Sequence, residues 1–196
     1  MNKNEIVDAL EPLIKAFDDL GILYYIGGSV ASSAYGISRT TLDVDMVLSL
    51  LPDHIPLLVR KLKSSYYIDP DMITDAIQKH SSFNLLHLAT MLKIDVFILQ
   101  DKPYPKKAFE RKIQDKLDDS PEALSIYLCT PEDVILNKLE WYKAGGEVSE
   151  RQWSDIIGVI KVQGDSLDKE YLKFWSKELE VFYLLEEAFI ETGIKL

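Results

Sequence analysis

Residues 39–50 read RTTLDVDMVLSL, and this stretch decides the fold. Polar and apolar residues alternate at its start and give way to apolar ones, which predicts a strand over 41–50 that runs into a core. Because side chains alternate along a strand, Asp43 and Asp45 project from one face and the apolar residues from the other. Two carboxylates this close repel each other unless a cation lies between them, so the pair indicates a divalent metal site. The alternative is an edge strand with a wet face.

A glycine turn precedes this strand. Gly27, Gly28 and Ser29 stand between a β-rich run at 22–26 (ILYYI) and a short helix predicted over 30–35. Glycine lets backbone N–H groups approach a ligand closely, and the N-terminus of a helix favours phosphate. The turn is not a Walker A loop, because no Gly-Lys-Ser/Thr follows it. It indicates a phosphate contact, with an ordinary chain turn as the alternative.

A third acid, Asp95, lies inside another apolar strand candidate at 93–99 (KIDVFIL). An acid in such a strand is costly to bury without a partner. On a strand next to Asp43 and Asp45, it would complete a cluster able to hold two cations, which stabilise the attacking and leaving oxygens of a phosphoryl transfer. Taken alone, Asp95 is more typical of a strand end.

The chain changes character near residue 130. Before it, helices and strands alternate: we predict helices over 4–20, 52–63 and 69–79, strands over 83–88 and 124–129, and a loop at the two prolines of 102–107. After it, Thr130 and Pro131 begin a series of helices, predicted over 131–143, 149–162 and in one last stretch to 192. We therefore expect an α+β fold with a domain at 1–129, a small mixed sheet with flanking helices, and a helical domain at 130–196.

Composition excludes several classes of protein. The 196 residues carry a formal net charge of −10, which argues against a broad nucleic-acid-binding surface. One cysteine excludes an intramolecular disulfide and a Cys-rich zinc site. Acids interrupt the N-terminal helix and no apolar run reaches about 20 residues, so we expect no membrane association and a cytoplasmic protein. The basic residues that cluster locally, as a solvated face or a landing patch for an acceptor, are Lys102, Lys106, Lys107, Arg111, Lys112 and Lys116.

The turn at 27–29, the pair Asp43 and Asp45, and the later Asp95 together resemble the motifs of the nucleotidyltransferase superfamily of the DNA polymerase β type. The Gly-Ser pair of the family falls on the last two residues of the turn, and its acid pair falls on Asp43 and Asp45. Residues 39–45 also resemble the R-x-T-x-D-h-D form of small prokaryotic members. The helical residues 130–143 and 151–162 resemble the tail of the AbiEii-like branch, which includes toxins; Lys138 and Asp155 are the corresponding residues there.

This resemblance implies a small mixed sheet and the Mg²⁺-dependent transfer of a nucleoside monophosphate from an NTP such as ATP, with release of pyrophosphate. The acceptor, an RNA end, a protein or a small molecule, stays open, as do an antitoxin partner and a homodimer. The implied catalytic residues, which would also bind two Mg²⁺ ions, are Asp43, Asp45 and Asp95. The implied nucleotide-binding residues are Gly27, Gly28, Ser29, Arg39 and Lys138.

Two other interpretations stay open at this point. A catalytically silent nucleotide-binding or regulatory module would keep the same fold, although three clustered carboxylates have no use in a scaffold. Metal-dependent hydrolysis of a phosphodiester would use the same acids with water as the acceptor.

Overall fold

The computed structural model describes residues 3–117 and 123–196. The chain forms two compact units, Met1–Gly27 with Thr40–Leu128, and Gly28–Arg39 with Cys129–Leu196. Residues 28–39 thus group with the C-terminal helices, whereas the sequence analysis placed them in the domain at 1–129.

The first unit is built on a mixed β-sheet, as predicted. In the described residues its strands are β1 (Leu23–Ile26), β2 (Asp43–Ser49), β3 (Tyr66–Tyr67), β4 (Ser82–His87), β5 (Lys93–Ile98), β6 (Ile113–Lys116) and β7 (Ser125–Leu128). Their order across the sheet is β3-β4-β5-β2-β1-β7-β6. Strand β2 pairs in parallel with β5, and β1 with β7, while the other neighbours are antiparallel. The α+β fold class is confirmed.

The helices of the first unit are α1 (Lys3–Leu20), α3 (Ile55–Leu62), α4 (Pro70–Lys79) and α5 (Pro103–Arg111), and α2 (Gly28–Tyr35) belongs to the second unit. The sheet face of Val44, Met46 and Leu48 is fully buried. Helix α1 packs on this face, since the ring centroid of Phe17 lies 5.5 Å from that of Tyr24. The other face of β2, which carries the two aspartates, is only half-buried.

Two elements of the first unit differ from the sequence prediction. The segment predicted as a loop at 102–107 begins helix α5, with Pro103 and Pro105 in its first turn. Proline is tolerated there because the first N–H groups of a helix need no internal partner. Strand β6 was not predicted either, because all four of its side chains are exposed and it has no apolar alternation.

The second unit consists of helices. Besides α2 it contains α6 (Pro131–Ala144), α7 (Glu150–Gln163), α8 (Lys169–Glu178) and α9 (Phe182–Thr192). The predicted cap of α6 is present, since the Thr130 hydroxyl accepts a hydrogen bond from the Asp133 amide. The last predicted helical stretch is two helices, broken where Glu180 adopts a φ of +57°. Among the described residues, none of the helices has the length and apolar composition of a membrane span.

Two glycines explain why residues 28–39 pack with the C-terminal helices. A Cβ atom at Gly36 would lie 2.9 Å from the backbone nitrogen of Val159, and one at Gly158 would lie 3.3 Å from the nitrogen of Ile37. The backbone after α2 therefore approaches the backbone of α7 more closely than larger residues allow. In addition, Gln163 donates a hydrogen bond of 2.8 Å to the carbonyl of Tyr35.

Candidate active site

The three predicted acids lie on one face of two adjacent strands. Strands β2 and β5 are parallel, and their register aligns Asp43 with Lys93 and Asp45 with Asp95. Aligned residues of neighbouring strands project from the same face, so all four side chains lie on the half-buried side of the sheet. From the next strand, β4, Asn84 is aligned with Asp95.

Asp43 and Asp95 each have a defined hydrogen-bond partner. The Thr41 hydroxyl donates to Oδ1 of Asp43 over 2.9 Å. The ammonium of Lys93 lies 2.7 Å from Oδ1 and 3.0 Å from Oδ2 of Asp95. The Asn84 amide, oriented with its nitrogen toward Asp95, donates to Oδ1 as well. Asp95 is therefore held in place by one cation and one neutral donor.

The side of the sheet that carries Asp43, Asp45 and Asp95, here called the acid face, also shifts the pKa of Lys93. The hydrogen bond to Asp95 raises the pKa of Lys93 above its usual value, against a smaller opposing effect of burial. The negative charges of Asp95, Asp43 and Asp45 raise the pKa of Lys93 further. One ammonium thus responds to all three carboxylates.

The glycine turn at 27–29 begins beside Asp45. The N–H of Gly27 donates a hydrogen bond of 2.9 Å to the carbonyl of Asp45, one pair beyond the last register partners, Ile26 and Met46. Gly28 follows with a φ of +52°, in the left-handed region that glycine adopts without strain, and it begins helix α2. The helix predicted over 30–35 therefore starts two residues earlier, at the glycine.

The chemistry of these donors suits magnesium. Carboxylate oxygens are the ligands that hard divalent cations prefer, and Mg²⁺ commonly uses one or two of them together with substrate phosphates. Within the part of the chain that the structure describes, no group of three or more His, Cys, Asp or Glu side chains is already arranged around an ion position. Asp95 is instead bound to Lys93. The donor types and their common face fit a divalent ion, while the third acid has the arrangement of an ion pair.

A second polar cluster lies wholly within the second unit, around Asp155 of α7. The guanidinium of Arg39 donates to both carboxylate oxygens of Asp155, from Nε and from Nη2, each over 2.7 Å. The same Nη2 donates to the hydroxyl of Ser29 over 2.6 Å. Arg39 thus links the first turn of α2 to α7.

Lys138 of α6 completes this cluster. Its ammonium donates to Asp155 over 2.8 Å and to the Gln152 side-chain oxygen over 3.1 Å. The side chains of Lys138 and Asp155 are only 6% and 5% exposed. Burial raises the pKa of Asp155, but the hydrogen bonds from Arg39 and Lys138 and their charges outweigh it, so the pKa lies below its usual value. A guanidinium nitrogen of Arg151 lies 3.5 Å from the Ser29 hydroxyl.

The sequence identified part of this cluster. Ser29, Arg39 and Lys138, which the resemblance implied as nucleotide-binding residues, come together in the second unit. Gln152 and Arg151 were missed. A signal for the cluster was present in the sequence, because Gln152 and Asp155 share a helix face at a spacing of three, next to the apolar run 156–160.

Comparisons with known proteins extend these observations. No protein-family model matches the chain, and no curated protein matches it. A solution structure of the antibiotic-resistance factor ANT(2″)-Ia matches with a TM-score of 0.56 and 14% identity, over 97% of this chain and 99% of that one. A crystal structure of ANT(2″)-Ia in complex with adenylyl-2″-tobramycin matches with a TM-score of 0.55 and 13% identity, over 90% and 98% of the two chains.

A third structure agrees with these two. It is a crystal structure of an antigenic nucleotidyltransferase-like protein from Paracoccidioides brasiliensis, with a TM-score of 0.55 and 17% identity, and the match covers 98% of this chain and 95% of that one. Such identities establish a likeness of fold. The chain therefore has the α+β fold of a nucleotidyltransferase-like protein.

Proposed function

We propose that this protein is a Mg²⁺-dependent nucleotidyltransferase that moves a nucleoside monophosphate from an NTP to a hydroxyl group of a small molecule. The observation that carries the proposal is the alignment of Asp45 with Asp95 in adjacent parallel strands, with Asp43 on the same face. Three carboxylates on one face repel one another, and a divalent cation bound there would offset this repulsion.

The acids have two tasks in this proposal. Asp43, Asp45 and Asp95 would hold two magnesium ions. When bound, these ions would neutralise negative charge on the reacting phosphate. Asp95 would also accept the proton of the acceptor hydroxyl. The acceptor oxygen forms a bond to the α-phosphorus, the bond from that phosphorus to the bridging oxygen breaks, and pyrophosphate leaves.

The cluster of the second unit supports the binding of a polyphosphate. It brings the cations of Arg39, Lys138 and Arg151 together around the carboxylate of Asp155 and the hydroxyl of Ser29. Arg39 and Arg151 both donate to the hydroxyl of Ser29, which can itself donate a hydrogen bond to a phosphate oxygen. Arginine suits this task because its planar group binds two phosphate oxygens at once.

The surface charge favours a small acceptor over RNA. In the basic segment 102–116, Lys106 forms an ion pair with Asp101, and the ammonium of Lys107 lies 3.8 Å from a carboxylate oxygen of Glu110. These contacts reduce the positive charge that is available to a nucleic-acid backbone. The small-molecule nucleotide adduct bound to ANT(2″)-Ia, adenylyl-2″-tobramycin, is an example of the product class that we propose.

The test is transfer of label from each α-³²P-labelled NTP in the presence of Mg²⁺. The acceptor panel contains aminoglycosides, other small polyols, tRNA and protein extract. We expect label on a small molecule and a loss of at least about 100-fold in Asp45→Asn. Label on tRNA ends would indicate a toxin-type activity, as in the AbiEii-like branch, and would replace the small acceptor. Transfer that survives in both Asp43→Asn and Asp45→Asn would refute the assigned roles.

One observation favours a second candidate, a catalytically silent nucleotide-binding module. Asp95 is paired with Lys93, and a permanent pair would keep the third acid from binding a metal ion. Calorimetry with NTP and Mg²⁺ separates the two candidates. Binding of the NTP without release of pyrophosphate across the whole acceptor panel would favour the module.

A further inference from the structure

Lys93 lies at the centre of the charge balance on the acid face. It is two residues before Asp95 on β5, on the same face, and its backbone is aligned with Asp43 of β2. Its ammonium contacts both oxygens of the Asp95 carboxylate, at 2.7 Å and 3.0 Å. The contact uses both oxygens that Asp95 would offer to a metal ion.

Three carboxylates need a positive counter-charge whether or not a metal ion is bound. In the absence of an ion, the ammonium of Lys93 supplies positive charge at Asp95, through contacts of 2.7 Å and 3.0 Å with its two carboxylate oxygens. Its side chain is 49% exposed, so it can move into solvent without leaving a cavity. Exposed ion pairs of this kind are weak, so a divalent ion with twice the charge and direct contact to oxygen can displace the ammonium.

We propose that Lys93 is a built-in substitute for the divalent cation. It holds Asp95 in the metal-free protein and must leave Asp95 before that acid can bind the ion. Lys93 is then a positioning residue that lowers the metal affinity of the acid face. This inference rests on the proposed function, because it presupposes that the acid face binds a divalent ion.

The test measures metal binding without nucleotide or turnover. Mn²⁺ is the probe, and its dissociation constant is measured by electron paramagnetic resonance on the wild-type chain and on Lys93→Met. We expect the variant to bind Mn²⁺ about three- to tenfold more tightly, because the competing ammonium is gone. Lys93→Arg, which keeps the charge, should bind Mn²⁺ like the wild-type chain. Lys93→Gln is a second neutral variant if Lys93→Met does not fold.

Lys61→Met is the matched control. Lys61 also belongs to the first unit and its ammonium lies 2.6 Å from Asp19, with a side chain 39% exposed. Its replacement removes the same charge from an ion pair with a residue of α1, the helix that packs on the opposite face of the sheet. Its dissociation constant for Mn²⁺ should equal that of the wild-type chain.

Thermal unfolding gives a readout that is independent of affinity. In a chelator, Lys93→Met should melt at a lower temperature than the wild-type chain, because the carboxylate of Asp95 then loses its ammonium partner beside the other two acids. Addition of Mn²⁺ should raise its melting temperature by more than that of the wild-type chain. Equal shifts in the two proteins would contradict the proposal.

The outcomes separate this inference from the proposed function. Equal Mn²⁺ affinity in Lys93→Met and the wild-type chain, with binding lost in Asp45→Asn, would overturn the role of Lys93 and leave the metal site intact. An equal gain of affinity in Lys61→Met would also overturn it, as a general charge effect. Absence of Mn²⁺ binding in both the wild-type chain and Lys93→Met would overturn the metal site and this inference together.

Discussion

Arg39 and Asp155 lie 116 residues apart in the sequence and form a bidentate ion pair, in which both hydrogen bonds are 2.7 Å long. The same carboxylate also accepts a hydrogen bond from the buried ammonium of Lys138. Removal of one partner from a buried charge network leaves the others without compensation, which is more costly than the network itself is stabilising. Asp155 is therefore the residue on which the order of this cluster depends.

Asp155→Asn should destabilise the protein strongly. The substitution keeps the shape of the side chain but removes the negative charge that pairs with Lys138 and Arg39, and we expect a loss of about 3–5 kcal/mol in the free energy of unfolding. Urea denaturation measures it. Asp165→Asn is the control, because Asp165 pairs with Lys169 on the surface and is 94% exposed. A stability of Asp155→Asn close to that of the control would show that the cluster is not a structural unit.

The same carboxylate predicts a dependence of stability on pH. The pKa of Asp155 is lowered in the folded protein, so its contribution to stability is complete above the usual carboxyl value of about 4 and is lost as the pH falls through the lowered pKa. The difference in unfolding free energy between the wild-type chain and Asp155→Asn should therefore shrink as the pH is lowered from 6 to 3. A difference that stays constant over this range would contradict the assigned ion pair.

Arg151 gives a test of nucleotide binding. Its guanidinium lies near the Ser29 hydroxyl, and we expect Arg151→Gln to weaken NTP binding about five- to tenfold. The loss should be smaller for the nucleoside monophosphate, since we propose that this cluster binds the polyphosphate of the NTP. Calorimetry with both nucleotides measures this, and Arg60→Gln, an exposed arginine of α3, is the control. Equal losses for both nucleotides would place the contact of Arg151 elsewhere.

Gly36→Ala tests the packing of residues 28–39 against α7. The new Cβ would lie 2.9 Å from backbone atoms of both Ser32 and Val159, which are rigid neighbours. We expect a loss of about 1–3 kcal/mol, as in other overpacked sites, measured by urea denaturation. Gly145→Ala is the milder comparison, because its nearest neighbour would be the Trp141 carbonyl at 3.3 Å. A neutral effect at Gly36 would mean that the backbone can separate there without cost.

Much of the acid face could be predicted from the sequence. Strict alternation in β2 fixed the common face of Asp43 and Asp45, because the period of a strand does not depend on its neighbours. The position of Asp95 could not be derived in this way. It depends on the register of β5 against β2, which packing of the whole sheet determines. The ion pair of Asp95 with Lys93 was missed, although both residues lie in one predicted strand and strand alternation places them on the same face.

The second cluster was less predictable. Arg39 and Lys138 were named only through the resemblance, and Arg151 was not named at all. Each reaches the cluster through a long-range contact, and no local periodicity reports such contacts. The helix at Pro103 was also missed, because proline usually interrupts helices. The exposed strand at Ile113 was missed because it lacks the alternation of polar and apolar residues that indicates a strand.

The most direct test of the proposed nucleotidyl transfer is release of pyrophosphate with Mg²⁺, an NTP and the acceptor panel, for the wild-type chain, Asp45→Asn and Ser49→Ala. Ser49 lies on the same face of β2 as Asp45 but carries no charge, and it is half-buried. We expect release by the wild-type chain and by Ser49→Ala at similar rates, and a loss of at least about 100-fold in Asp45→Asn. Release at the wild-type rate by Asp45→Asn would contradict it.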